Sequence, residues 1–145
     1  MEAAIDMLKE FEIPYTVRVL SAHRTPNETL KLAEEARENG IQVFIAGAGG
    51  AAHLAGVIAS STPLPVIGVP MQTSALGGLD SLLSIVQMPG GIPVATTAIG
   101  KAGAKNAAIL AAQMIGLADP VVMKKVEDFK QAQAEKVLAN SYLDL

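Results

Sequence analysis

The chain has no cysteine and no tryptophan, and only 3% of its 145 residues are aromatic. Without cysteine there is no disulfide framework and no thiolate metal site. With so few aromatic rings, a core must be assembled mainly from Ala, Val, Ile and Leu, and half of the chain is apolar. Charged residues are scarce too, at 17% against the usual quarter or so. The net charge is −3 and no basic cluster exists, which argues against nucleic acid as a partner. Two histidines without an HExxH-type spacing argue against a metal site. The first eleven residues carry Glu2, Asp6, Lys9 and Glu10, so they do not form a secretory leader. Gly, Pro, Ser and His interrupt the apolar middle, which argues against a membrane span and for a cytoplasmic protein.

One shortage is local. Between Glu38 and Lys101 the single charged residue is Asp80. A monomer of this size exposes too much surface to leave so long a stretch without solvating charge. The simplest account is burial both in the protomer core and against other copies, as in an obligate homo-oligomer.

What is present alternates. Met1 to Phe11 reads as an amphipathic helix with Ala4, Leu8 and Phe11 on one face and Ile5 beside them. Pro14 to Leu20 reads as a strand, and Pro26 to Asn39 as a helix closed by Gly40. Strands are expected at Val43–Ala46, Pro65–Val69 and Pro93–Ala98. Helices are expected at Ala51–Ser60, Leu79–Val86 and Gly103–Ile115, and a last one from Asp119 to about Ala139. In the last helix Val122, Val126, Phe129 and Val137 share a face, expected to contribute to subunit contact. Alternating strands and helices over residues 1–145 predict one α/β domain, a parallel sheet covered by helices on both faces.

Two turns stand out for chemistry. Ser21-Ala22-His23-Arg24-Thr25-Pro26 joins the expected first strand to a helix start. Thr25 is placed as N-cap, Pro26 at the first helical position and Glu28 as the reciprocal member of a capping box. The turn offers a hydroxyl, an imidazole and a guanidinium beside a helix N-terminus, a setting that favours an anion. A histidine in such a turn is more often a surface or capping residue, and Arg24 could pair with Glu28. The second turn is Gly47-Ala48-Gly49-Gly50-Ala51-Ala52-His53, again between a strand and a helix. Its glycines admit a ligand to the backbone. It satisfies G-x-G-x-x-A, yet no acidic residue follows before Asp80, so a nicotinamide-dependent oxidoreductase is disfavoured. Both histidines lie just past strand carboxyl ends and should open onto one edge of the sheet.

Four segments together carry a resemblance: Ser21–Pro26, Ala46–Leu54, Ser84-Ile85-Val86-Gln87-Met88-Pro89 and Ala98-Ile99-Gly100-Lys101-Ala102-Gly103. They resemble the N5-carboxyaminoimidazole ribonucleotide mutases of purine biosynthesis. Related carboxylases that use carbon dioxide directly carry Lys-Gly-Pro where this chain has Arg24-Thr25-Pro26. The resemblance implies a three-layer α/β/α flavodoxin-like fold, an octamer, no metal or organic cofactor, and an aminoimidazole ribonucleotide as substrate. It implies His23 as general acid–base, with Ser21 and Arg24 holding polar and anionic groups of the nucleotide. Ala48, Gly49 and Leu54 would form a small dry pocket for carbon dioxide, shaped or polarised by His53, with Gly50 among the substrate-binding residues. The family usually has proline where Ala55 stands, near the site but without chemistry. The family also opens with a strand ending in Gly-Ser-x-Ser-Asp, the phosphate and ribose loop, and this chain begins after it.

In a 2-1-3-4-5 sheet that first strand lies inside, so Pro14–Leu20 and Val43–Ala46 are expected to flank a gap. Roughly 20 further residues are accordingly expected before Met1, and the chain alone is expected to turn over weakly. A catalytically impaired nucleotide-binding fragment, or a non-catalytic assembly module, is the corresponding alternative. From the charge distribution, light scattering at micromolar concentration should report a large homo-oligomer. A stable species at the mass of one chain would contradict that.

Overall fold

The computed structural model describes residues 1–142. Three parallel strands form one sheet: β1 (Phe44–Ala48), β2 (Val66–Pro70) and the two-residue β3 (Ala95–Thr96), in the order β1-β2-β3. Six helices accompany them: α1 (Glu2–Glu10), α2 (Pro26–Glu34), α3 (Leu54–Ser60), α4 (Leu79–Val86), α5 (Lys101–Gly116) and α6 (Pro120–Leu138).

The sheet divides the core in two because side chains alternate along a strand. Phe44 and Ala46 of β1 and Val66 of β2 point into one cluster, with Ala33, Ala55, Ile58 and Ile85 from the α2, α3 and α4 side. Ile45, Ile67 and Val69 point the other way, onto α1, α5 and α6. The register Phe44↔Val66 and Ile45↔Ile67 keeps the two sets apart. Each fully buried Ile or Val here stabilises by about 1.5–3 kcal/mol. These are the expected three layers, with helices on both faces.

Small residues let the layers approach. The buried side of α5 consists of Gly103, Ala104, Ala107, Ala108, Ala111 and Ala112, with Gly116 at its end. A Cβ on Gly103 would stand 1.5 Å from the Ala98 carbonyl oxygen. On Gly68, in the middle of β2, it would stand 2.4 Å from Ile85 Cγ2 and 2.9 Å from Val94 Cγ1. Asp119 caps α6 as its sequence position predicts, its carboxylate accepting the Val121 and Val122 N–H groups.

Several expectations fail locally. Pro14–Leu20 is not a strand: Tyr15 to Val19 are exposed, and among the described residues nothing pairs with them. A β-prone sequence becomes a strand only where a neighbour supplies the ladder, and β1 pairs with β2 alone. The fourth expected strand shrinks to Ala95–Thr96, since Gly100 N–H already bonds the Pro70 carbonyl to start α5. The second helix ends at Glu34 rather than Asn39, and turns follow to Gly40, whose φ is +76°. The capping box is not made. The Thr25 hydroxyl turns back to Ser21, so α2 has no side-chain cap. At α1 the expected Ala4 and Phe11 are buried and Leu8 packs half-buried against them, but Met7 rather than Ile5 completes the face. The α6 face assigned to subunit contact is used inside the protomer. Val122 and Val126 are buried against α5, and Phe129 meets Phe11 edge-on at 5.6 Å. Of that set only Val137 is left exposed.

A second tie joins α6 to α1. Lys125 donates to the Phe11 carbonyl and to Glu12, whose carboxyl its hydrogen bond and charge hold below the ordinary range. A lowered carboxyl stabilises the fold above its unfolded pKa, and that support is lost as pH falls through the folded value. Lys125→Met should therefore make stability less steep in the acid range, by a small amount because the pair is exposed. Identical acid melting curves would contradict it. Gly68→Ala should lower the melting temperature by about 3 °C or more, since overpacking costs about 1–3 kcal/mol. An unchanged melting temperature would show that Ile85 and Val94 can move away.

Candidate active site

Parallel strands end on the same side, so the segments after them converge at one edge of the sheet. There the two histidines meet: His23 Nε2 lies 2.8 Å from His53 Nδ1, the rings 75° apart with centroids at 4.8 Å. One nitrogen of the pair carries the proton and the other the lone pair. His53 lies in the turn between β1 and α3, and His23 in the turn that opens α2 with no strand before it, 30 residues apart in sequence. Both rings are exposed in the protomer and open to a ligand.

The first turn is held by its own hydroxyls. Ser21 Oγ accepts the N–H groups of His23 and Arg24, at 3.3 and 3.2 Å. Thr25 Oγ1 accepts from Ser21 N at 2.8 Å and donates to the Ser21 carbonyl. The expected capping residue thus closes a five-residue loop that presents His23 and Arg24 outward. The Ser21 oxygen is occupied as an acceptor, and its proton remains to donate. Among the described residues Arg24 pairs with no carboxylate, Glu28 included. Its guanidinium is therefore available to an anion.

The second turn is held from outside. Ala48 ends β1 opposite Pro70, half-buried, and Gly49 is exposed. Gly50 has φ +67°, which a residue with a side chain seldom adopts. Its N–H donates to Ser81 Oγ at 2.9 Å, and its carbonyl accepts from Ser84 Oγ at 3.1 Å. His53 then precedes α3, and Leu54, the helix's first residue, packs half-buried on the core around Phe44. Ala55 is fully buried.

Sequence reasoning missed the residues of α4 and the loop before it. Ser81 is fully buried and also donates to the Met71 carbonyl at 2.7 Å. Asp80 accepts the Thr73 hydroxyl at 2.7 Å, and that hydroxyl receives the Gly78 N–H. The lone charge of the apolar stretch therefore organises a loop at the same edge. The signal was legible: on an otherwise apolar helix Ser84 stands three residues from Ser81 and four from Asp80, spacings at which helical neighbours meet. Among the described residues, no three His, Cys, Asp or Glu side chains converge as a metal site would require.

Similarity to known proteins places the chain in a family. The AIR carboxylase family model matches residues 1–136, and the chain belongs to that family. The N5-carboxyaminoimidazole ribonucleotide mutase of Bacillus subtilis (strain 168) is 57% identical over 141 residues, covering 97% of this chain and 87% of that protein. The Escherichia coli (strain K12) protein of the same name is 55% identical over 140 residues, covering 97% and 83%. The crystal structure of Treponema denticola PurE superposes with a TM-score of 0.88 at 28% identity, covering 99% of this chain and 89% of that one.

The Gly50 backbone supplies a direct check on the second turn. A Cβ there would touch nothing within 4 Å, so any cost of Gly50→Ala is conformational rather than steric. The variant should lose about 1–2 kcal/mol of stability, and Gly50→Asn less, because Asn tolerates a left-handed backbone. Equal losses in urea unfolding would mean that φ at residue 50 is not the constraint.

Proposed function

We propose that this chain is an N5-carboxyaminoimidazole ribonucleotide mutase. It moves a carboxylate from the exocyclic nitrogen of an aminoimidazole ribonucleotide to a ring carbon, a step of purine biosynthesis. The direct His23–His53 contact carries the reading, because it joins the two turns that the resemblance marks as the site. The mutase names of relatives 55–59% identical support it.

The residues divide the work as follows. Arg24 and the Ser21 hydroxyl hold anionic and polar groups of the nucleotide. His23 protonates the nitrogen as carbon dioxide leaves and later removes the ring-carbon proton. An imidazole suits both directions because it gains and loses a proton near neutrality. Ala48, Gly49, Gly50 and Leu54 enclose the freed carbon dioxide, and His53 shapes that pocket. A carboxylase that takes carbon dioxide from solution would need it added. A mutase would move an isotopically labelled carboxylate without diluting it into dissolved bicarbonate. Arg24-Thr25-Pro26 favours the mutase.

The protomer acts in a homo-octamer in the cytoplasm. Support for assembly comes from α4, which exposes Leu79, Leu83 and Val86, with Leu76 just before it. These lie within the stretch whose one charge is Asp80. No helix among the described residues is long and apolar enough to cross a membrane.

His23→Asn, made in the protein expressed from its natural coding sequence, should lower kcat by about 10²–10⁴-fold while nucleotide binding persists. His53→Asn should cost far less, since the pocket keeps a polar side chain and the proton carrier is intact. Near-normal turnover by His23→Asn would overturn the assignment.

A further inference from the structure

Two serines of α4 grip one glycine from both sides. Ser81 Oγ takes the Gly50 N–H at 2.9 Å and gives its own proton to the Met71 carbonyl. Ser84 Oγ lies 3.1 Å from the Gly50 carbonyl and 2.8 Å from that of Asp80, so its proton serves both. The first contact orients the peptide between Gly49 and Gly50, and the second orients the peptide between Gly50 and Ala51. Among the described residues no other hydrogen bond holds Gly50. It has no side chain, its φ is +67°, and a Cβ there would find no atom within 4 Å. The same Ser81 hydroxyl also fixes the loop after β2, so one buried group sets the spacing of two loops at the site edge.

We propose that Ser81 and Ser84 are positioning residues for carboxylate transfer. By fixing the peptides around Gly50 they keep the pocket at the end of β1 closed while carbon dioxide is free within it. This rests on the reading of that loop as the carbon dioxide pocket. In release, the bond between the exocyclic nitrogen and the carboxylate breaks, the nitrogen gains a proton, and carbon dioxide departs. In capture, the ring carbon bonds to carbon dioxide and gives up its own proton. Between these steps a loosened loop lets carbon dioxide escape, and the nucleotide is left decarboxylated.

The fate of consumed substrate tests this. N5-carboxyaminoimidazole ribonucleotide is supplied to the protein expressed from its natural coding sequence. The products are divided between the carbon-carboxylated nucleotide and the decarboxylated nucleotide with carbon dioxide, after subtracting breakdown without enzyme. Ser84→Ala and Ser81→Ala should each raise the decarboxylated share about tenfold, the factor that corresponds to about 1.4 kcal/mol. Ser84→Thr keeps the hydroxyl and should restore the wild-type division. A merely structural role would reduce folded enzyme and total turnover without moving the division. Should Ser81→Ala not fold, Ser84→Ala decides, because Ser84 is only half-buried. An unchanged division in Ser84→Ala that melts like wild type overturns the proposal. His23→Asn in the same assay tests the underlying reading separately: turnover surviving there refutes the site, whatever the division.

Discussion

The parallel pairing of β1 with β2 is the constraint on which the rest depends. Five residues of each strand run in register from Phe44↔Val66 to Ala48↔Pro70. Because the strands are parallel, their carboxyl ends lie side by side, and every following segment starts from the same edge. Because side chains alternate, the same pairing sorts Phe44, Ala46 and Val66 to one helical layer and Ile45, Ile67 and Val69 to the other. A one-residue slip would exchange the layers and move the Gly49–Gly50 turn away from α4.

The edge is built with few polar groups, and nearly all of them are hydroxyls. Ser21, Thr25, Thr73, Ser81 and Ser84 each bond to backbone, and among the described charged residues only Asp80 takes part in shaping it. Neutral hydroxyls can be buried at low cost when both ends are satisfied, whereas a buried carboxylate or ammonium cannot. Among the described residues no buried side-chain nitrogen or oxygen lacks a partner. The arrangement leaves His23, His53 and Arg24 as the exposed groups with proton or charge to offer. That division, hydroxyls for shape and imidazole and guanidinium for chemistry, suits a carboxylate-bearing nucleotide.

Much of this was legible in the sequence. Leu79–Val86 is helical over its expected span, and Asp119 with Pro120 marks the start of α6, because caps and periodicity are local properties. The two histidine turns were recognisable from residue types and their place before helix starts, but only the His53 turn follows a strand, so sheet topology alone did not require them to meet. What was not legible depends on partners distant in sequence. Pro14–Leu20 has the composition of a strand, but its state depends on a neighbour. Thr25 has two uses for one hydroxyl, and the return to Ser21 wins over the helix N-terminus. The apolar face of α6 gave no sign whether Phe11 or another protomer would cover it. The grip of Ser81 and Ser84 on Gly50 spans more than thirty residues and has no local signature beyond a polar seam on α4.

The central claim is that His23, His53 and the Gly49–Gly50 turn form one site for a carboxylated aminoimidazole ribonucleotide. A crystal structure of the protein with such a nucleotide bound tests it most directly. The account predicts the aminoimidazole ring within hydrogen-bond reach of His23 and the carboxylate against the backbone around Gly49. A nucleotide seated elsewhere, such as the open apolar groove between α5 and α6 lined by Leu110, Met114 and Met123, with the histidine edge empty, would contradict it.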